Sequence, residues 1–492
     1  MGENDADQVV DAPTYMADIR FFFRPVDVQH MRSLSIQLAT YDGVKHNALN
    51  IYEETAPPNA NMPPDAAGKW SAARSQTFRN WITSGYPLGT ATPQTLRAVA
   101  ASAGRERKNV TSLSAQEIDT LKTAFTGLMD RDPSRADSYF AIAGIHGLPQ
   151  MYCLHHVNLY NPWHRAYLKY FEDALRSVPG CEDVTIPYWD ISTPLPELLQ
   201  QPPFASYELP LDPGAAADPP QSGYFPYTTS RDTPAGIEQN VQAYGVLEDI
   251  ATSLQQSVWG SYNINGYQDF SIQAHDGGHG SIGGASGSMS DQNVASFDPV
   301  FWFFHCNLDR LWLKWQGLVG ATTLHGFQST VTGDTTWLEL PLTPFPTTGE
   351  ETIDFGISYD EEGLEEGIAL ENKAGSLEAA RRFSIKRSSP VSVRVKDIDR
   401  LAIPGSFVVN LMADDESVAK RFFFQPRSPQ NCENCKTQAL VNIDFRIDAE
   451  RLLDRTLSVA IEVPAHQEIG TSFPLSRAGN PTINARLLLD ET

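Results

Sequence analysis

Two histidine-bearing stretches constrain this chain more than any other feature. The first, GIHGLPQMYCLHHVNLYNPWHRAYLKYFEDAL from Gly144 to Leu175, holds four of the eleven histidines. The second runs AHDGGHGSIGG and, after a Ser/Gly/Asp-rich insertion, SFDPVFWFFHCNLDRLWLKWQ, carrying His275, His279 and His305. His305 follows the apolar run Phe301 to Phe304 and precedes Leu308, Leu311, Trp312 and Trp315, which reads as a buried helix. An unpartnered imidazole there is costly. Six imidazoles closing around one centre meet that cost, and imidazole suits copper, zinc, iron and nickel alike.

The spacing of these residues points to helices. His164 precedes Leu168, Phe171 and Leu175 at helical spacing, so it stands at the start of an amphipathic helix. His275 and His279 are four apart, which on a helix stacks both rings on one face within reach of one metal. A zinc protease has glutamate directly after the first histidine; here Asp276 takes that place. Gly277 and Gly278 inside the same turn each cost a helix about 1 kcal/mol relative to alanine. That cost implies close packing against the backbone. Ser114 and Glu117 form a capping box ahead of Ile118, Leu121, Phe125 and Leu128. Thr233-Pro234 opens a stripe of Ile237, Val241, Tyr244, Leu247, Ile250 and Leu254. The expected architecture is a mainly α domain, a four-helix bundle with ligands projecting from facing helices.

Elsewhere the patterning changes. From Ile19 to Thr55 no helical stripe is visible, and strands or irregular structure are expected. The Pro/Gly-rich piece from Leu195 to Gly236 reads as a surface excursion. EEGLEEGIALENKAGSLEAARR is acidic and lacks aromatics, as an exposed linker would. Beyond it the period becomes two: Val441, Ile443, Phe445 and Ile447 alternate with polar residues, and so do Leu457, Val459, Ile461 and Val463. This is the pattern of a C-terminal antiparallel β-sandwich. The expected division is 1–360, a linker over 361–380, and a β-rich unit over 381–492.

A net charge of -23 disfavours nucleic acid and anionic membranes as partners. No run of eighteen apolar residues predicts a membrane span. The acidic N-terminus shows no signal peptide, so a cytoplasmic location, or export by another route, is expected. Five scattered cysteines do not make a disulfide framework. The sequence is compatible with a monomer or a homo-oligomer.

The motifs together resemble the tyrosinase, catechol oxidase and haemocyanin family of type-3 copper proteins, over roughly Arg20 to Tyr359. IHGLP, YCLH and WHRAYL are similar to the first copper site in its fungal form, implying His146, His155 and His164 as ligands. HDGGH, IGG, FDPVFWFFH and NLDRLW are similar to the second, implying His275, His279 and His305. IPYWD at Ile186 and IDFGISYD at Ile353 also fit the family, the latter as the motif that closes its catalytic domain. The resemblance implies a polyphenol oxidase: two copper ions, O2 as co-substrate, and a small phenol as substrate. An o-diphenol would leave as an o-quinone; the resemblance implies either tyrosinase-type hydroxylation of monophenols at the ortho carbon as well, or a catechol oxidase without it.

Several residues depart from or refine that pattern. Many monophenol-hydroxylating relatives carry asparagine after the first ligand of the second copper, where it helps hold a water that deprotonates the phenol. Here Asp276 stands there and is itself the candidate catalytic base. Phe304 replaces the first histidine of the common pair, leaving His305 as that segment's ligand. Met289, Ser290, Gln292 and Val294 are expected at an accessible pocket mouth. Cys153 stands where relatives join this cysteine to the histidine two residues on, implying a thioether to His155; the alternative is a buried free thiol. His156 is expected to be a supporting or surface residue. Cys432-Glu-Asn-Cys435 alone reads as zinc or a redox pair, while the resemblance implies copper loading. Phe422, Phe423 and Phe424 lie where relatives carry a pocket-plugging aromatic; three consecutive phenylalanines on a strand cannot face one core. An ordinary strand at a domain interface is the other reading. An oxygen carrier would share all six ligands, and a zinc hydrolase would use His275 and His279 alone.

Overall fold

The first long helix, α1 (Ala115–Met129), starts at the capping box, with Ser114 accepting from the Glu117 amide and Glu117 from the Ser114 amide. Its apolar stripe of Leu121, Phe125 and Leu128 is buried, as the spacing predicts. The computed structural model describes residues 41–57, 68–88, 105–148, 151–209, 227–260, 266–360, 390–463 and 472–487 without a break, and parts of 8–38 and 60–64. The linker over 361–380 lies outside them.

After α1 come α2 (Tyr139–Gly144), α3 (Tyr160–Arg176), α4 (Pro234–Ala243), α5 (Val246–Leu254), α6 (Tyr267–Gly283) and α7 (Val300–Val319). The stripe from Ile237 to Leu254 is two helices, not one. Gly245 turns left-handed at φ +68 between them, and a Cβ there would meet the Arg421 guanidinium at 2.2 Å. Leu247 accordingly points outward, 40 % exposed. The stretch from Ile19 to Thr55 also differs from expectation, because it contains helices at Tyr41–His46 and Ala48–Thr55. Val44, Ala48, Ile51 and Thr55 are buried at three- and four-residue spacing, a stripe that the break at Asn47 divides.

The glycine-containing turn of α6 stays helical because neighbours occupy the space that side chains would need. A Cβ on Gly278 would lie 2.3 Å from the Phe304 ring, and one on Gly280 would lie 2.3 Å from the Phe422 ring. The close packing expected from the sequence is therefore present, with Phe304 supplying part of it.

A buried ionic cluster ties α3 to α7. Asp309 accepts from Arg165 at 2.5 Å, from Arg107 at 3.1 Å and from the Tyr359 hydroxyl at 2.5 Å, while Arg107 also pairs with Glu172 at 2.6 Å. Arg107 and Tyr359 come from β1 (Arg105–Arg107) and β2 (Ile357–Tyr359), which pair in parallel. The motif ending at Asp360 thus closes the helical unit onto the two helices that carry His164 and His305.

The C-terminal part is a two-sheet antiparallel unit. It comprises β3 (Pro390–Asp399), β4 (Phe407–Ala413), β5 (Glu416–Phe423), β6 (Leu440–Asp448), β7 (Leu457–Glu462), β8 (Ser472–Phe473) and β9 (Thr482–Leu487). One sheet has the order β8-β7-β4-β5 and the other β9-β3-β6. Across β3 and β6, Val391, Val393 and Val395 face Ile447, Phe445 and Ile443, so the alternating apolar residues share one buried face. The sandwich has its own apolar core. Val408, Phe422 and Phe424, however, belong to the core of the helical unit.

Candidate metal centre

The six predicted ligands converge. Neighbouring ring centroids lie 4.4 Å apart for His275 and His279, 4.8 Å for His164 and His305, 5.0 Å for His155 and both His164 and His275, and 5.2 Å for His146 and His155. Four ligands are on helices, His164 on α3, His275 and His279 on α6, His305 on α7. The other two are not: His146 follows the end of α2, and His155 lies on an irregular segment. The expectation that all project from facing helices is corrected to that extent.

Ring orientation is set from behind. His146 Nδ1 donates to the Gln292 carbonyl at 3.2 Å, His164 Nδ1 to the Tyr160 carbonyl at 2.8 Å, and His279 Nδ1 to the Met289 carbonyl at 2.8 Å. His275 Nδ1 donates to Asp276 Oδ1 at 2.9 Å. Each bond fixes a tautomer with the proton on Nδ1 and the lone pair on Nε2. Nε2 of His146, His164 and His275, both nitrogens of His155, and Nδ1 of His305 are buried with no hydrogen-bond partner. Such orphaned atoms are costly unless a metal takes their lone pairs. Ligating atoms of His146, His155 and His164 lie within 4.8 Å of one another, as do those of His164, His275 and His305. His164 is common to both groups and so stands between the two triads that the sequence assigns, and His279 Nε2 meets His305 Nε2 at 3.0 Å. Burial holds all six imidazoles below their ordinary range, with His164 and His279 at about 3, so they are neutral ligands at neutral pH. An all-imidazole, carboxylate-free set in this state fits copper.

Asp276 is not poised as a free base. Its Oδ2 accepts from His156 Nε2 at 2.9 Å and from the backbone amide of Phe424 at 3.1 Å, in addition to the bond from His275 to Oδ1. Burial pushes its carboxyl up from the ordinary range, opposed by His156. His156, expected as a supporting or surface residue, is buried and takes a left-handed φ of 59. It stacks on Phe423 at 4.4 Å, and its Nδ1 faces Arg400 Nη1 at 3.3 Å. Sequence reasoning missed Arg400 and Gln425. Gln425 accepts from Arg400 Nε at 3.0 Å and donates to the carbonyls of Ile403 and Gly405 at 2.8 Å, which pins the segment after β5.

The three phenylalanines divide as their alternation requires. Phe423 faces the sandwich core, stacked on Phe407 at 4.8 Å, while Phe422 packs on Tyr244 and Gly280. Phe424 enters the histidine cluster. Its ring lies face to face with His279 at 3.9 Å and 15°, and edge-on to His155 and His275 at 5.6 Å each.

The loop from Met289 to Val294 is buried, not an accessible mouth. Its polarity serves orientation: the Met289 and Gln292 carbonyls hold two ligands, and Asp291 and Asn293 receive Arg427 from the sandwich. Cys153 is buried, its Sγ 2.9 Å from Gln292 Nε2, and burial pushes its thiol up to about 12. Cys432 and Cys435 are joined as a disulfide. Between them Asn434 donates to the His155 carbonyl at 2.8 Å. No helix among the described residues is long and apolar enough to cross a membrane.

Residues 136–318 match the family described as the common central domain of tyrosinase. The tyrosinase of Aspergillus oryzae is 25% identical over 475 residues, covering 68% of this chain and 86% of that protein. The haemocyanin A-type units Ode to Odg of Enteroctopus dofleini are 31% identical over 265 residues, 49% of this chain but 20% of that polypeptide. The chain therefore spans about a fifth of that haemocyanin's length. Among solved structures, Aspergillus oryzae pro-tyrosinase superposes with a TM-score of 0.58 at 16% identity, over 78% of this chain and 93% of that one. A functional unit of octopus haemocyanin gives 0.56 at 20% identity, over 78% and 99%. At these identities the likeness is one of fold.

Proposed function

We propose, for a chain whose residues 136–318 form a tyrosinase-family domain and whose homologues are fungal tyrosinases and haemocyanins, that it is a copper-dependent polyphenol oxidase. In this reading His146, His155 and His164 hold one copper, His275, His279 and His305 the other, and bound copper supplies the redox chemistry with O2. Two o-diphenols give four electrons and four protons to each O2, leaving as o-quinones with two waters formed. Ortho-hydroxylation of monophenols belongs to the same proposal.

The observation that carries it is the seat of Phe424. An aromatic ring lies flat on one proposed ligand and edge-on to two more, which is where the ring of a phenol would be oxidised. The chain's own groups supply geometry and exclusion of water. Carbonyls of Tyr160, Met289 and Gln292 and the Asp276 carboxylate hold the imidazoles. Phe301, stacked on His305 at 4.0 Å, and Phe304, edge-on to His279 at 5.5 Å, wall the site. The sandwich shields it until Phe424 withdraws.

Copper content and oxygen uptake test this reading. Two coppers per chain and uptake with a catechol, stronger in Phe424→Ala, are expected, and His164→Ala should fall below two coppers. A copper-loaded Phe424→Ala chain that binds O2 reversibly but consumes none with a catechol would be an oxygen carrier instead.

A further inference from the structure

Behind His164 begins a run of oxidisable rings. Trp163 lies 4.9 Å from that imidazole, centroid to centroid, and 5.0 Å from Tyr167 on the next turn of α3. Tyr167 also lies nearly parallel to His146, at 6.4 Å and 14°, and meets Trp302 of α7 at 4.8 Å. From Trp302 the next ring is Tyr139 of α2 at 6.5 Å, and Trp302 Nε1 donates to the Tyr139 hydroxyl at 3.2 Å. Tyr139 in turn lies 4.7 Å from Tyr207. The first four are buried and Tyr207 is half-buried, so the run leads from two proposed ligands to solvent.

Spacings of this size are those of ordinary aromatic packing. What sets the run apart is its chemistry, since tryptophan and tyrosine lose an electron far more readily than phenylalanine, and every member is one or the other. On another side of the site the ligands meet phenylalanines, Phe301 against His305 and Phe304 against His279. An exit toward Tyr170, 37 % exposed, is interrupted as well: Trp163, Tyr167 and Tyr170 all pack on Phe345, at 5.4, 5.9 and 5.5 Å. The phenols along the run differ in where a proton can go. Tyr139 donates its hydroxyl hydrogen to the Phe297 carbonyl at 3.1 Å, a group that cannot take the proton away. Tyr207 reaches water, which can.

Electron counting shows what such a run could serve. Two Cu(I) ions hold two of the four electrons that take O2 to two waters, and a phenol supplies the others. With no phenol present the site keeps an oxidant two electrons short of water among six imidazoles. We propose that Trp163, Tyr167, Trp302, Tyr139 and Tyr207 form a path along which the phenol-free site draws those two electrons from the protein surface. Each electron leaves Tyr207, its phenolic proton passes to water, and the phenoxyl radical takes a hydrogen atom from a thiol. In balance, two Cu(I), one O2, two thiols and two protons become two Cu(II), two waters and one disulfide. The path gives the chain a second, thiol-consuming activity that spares its ligands. It rests on the oxidase reading for copper and O2 alone, not for the phenol.

The test incubates the full-length chain, copper-loaded and reduced to Cu(I), with O2 and a nitroso spin trap in the absence of phenol and thiol. Peptide mass spectrometry then locates the trap. Label is expected on Tyr207, and its loss is expected in the metal-free chain, in Tyr207→Phe, in Trp302→Phe and on adding a low-molecular-weight thiol. Tyr207→Phe should instead accumulate oxidised Trp302 and Trp163. An unlabelled Tyr207, a label as strong without copper, or a label that persists in Trp302→Phe overturns the path. Where Trp302→Phe does not fold, Tyr207→Phe decides alone, because unchanged oxidation of Trp302 and Trp163 there overturns it too. Oxygen uptake with a catechol is measured apart. Label on Tyr207 without such uptake overturns the oxidase reading and leaves the path standing, and uptake without label does the reverse.

Discussion

At the scale of single residues, neighbouring phenylalanines have opposite consequences. Phe424 fills the slot, and burying such a ring is worth about 1.5–3 kcal/mol. Phe424→Ala should therefore raise diphenol turnover of the full-length, copper-loaded chain roughly tenfold or more, read as oxygen consumption. Phe423 instead stacks between His156 and Phe407. Phe423→Ala should lower stability by about 3–5 kcal/mol in urea unfolding, as large ring deletions in cores do. In sequence the triplet reads as a plug or as an ordinary strand at the interface; that Phe424 is the ring entering the cluster depends on where β5 ends, which sequence does not show. The setting of Asp276 was not legible in sequence, because two of its three donors come from His156 and from the backbone of Phe424, far apart in the chain. Cys153 belongs to this scale too. If the resemblance extends to a thioether, the copper-loaded protein should weigh two hydrogens less than its sequence and yield a Cys153–His155 crosslinked peptide. A Cys153 that alkylates freely after denaturation would exclude the bond.

At the scale of elements, the ligands are placed by contacts between helices, not by any one helix. Gly278 on α6 admits the ring of Phe304 from α7. Gly278→Ala should destabilise by about 1–3 kcal/mol through overpacking, and Phe304→Leu in the same chain should recover part of the loss if that contact is the cause. Asp309 sits one turn beyond His305 and balances both Arg107 and Arg165. Removing one partner from a buried ion cluster costs about 3–5 kcal/mol, so Asp309→Ala should lower the urea midpoint and loosen copper at both sites. These helices were readable because their caps and apolar spacing are local. The break at Gly245 was not, since its reason, the approach of Arg421, comes from a strand more than a hundred residues away. The helices at Tyr41–His46 and Ala48–Thr55 escaped because each is too short for its stripe to declare a period.

At the scale of the whole molecule, the two units keep separate cores yet share three apolar side chains, Val408, Phe422 and Phe424, with the helical one. The alternation in β6 and β7 announced the sandwich and its inner face. Its docking was not announced, because Arg400, Gln425 and Arg421 look like ordinary polar strand and loop residues until their partners are known. The order of the chain adds a consequence in time. All six histidines are synthesised before the plug, and about 120 residues separate His305 from Phe424. At roughly 5–20 residues per second, a ribosome leaves the histidine cluster uncovered for roughly 6–24 s. Copper offered during translation should thus fill the site faster than copper offered to the released chain, and equal filling in a cell-free synthesis would mean that the sandwich lifts readily. The geometry makes metal entry a race against the ribosome, with the cover arriving last.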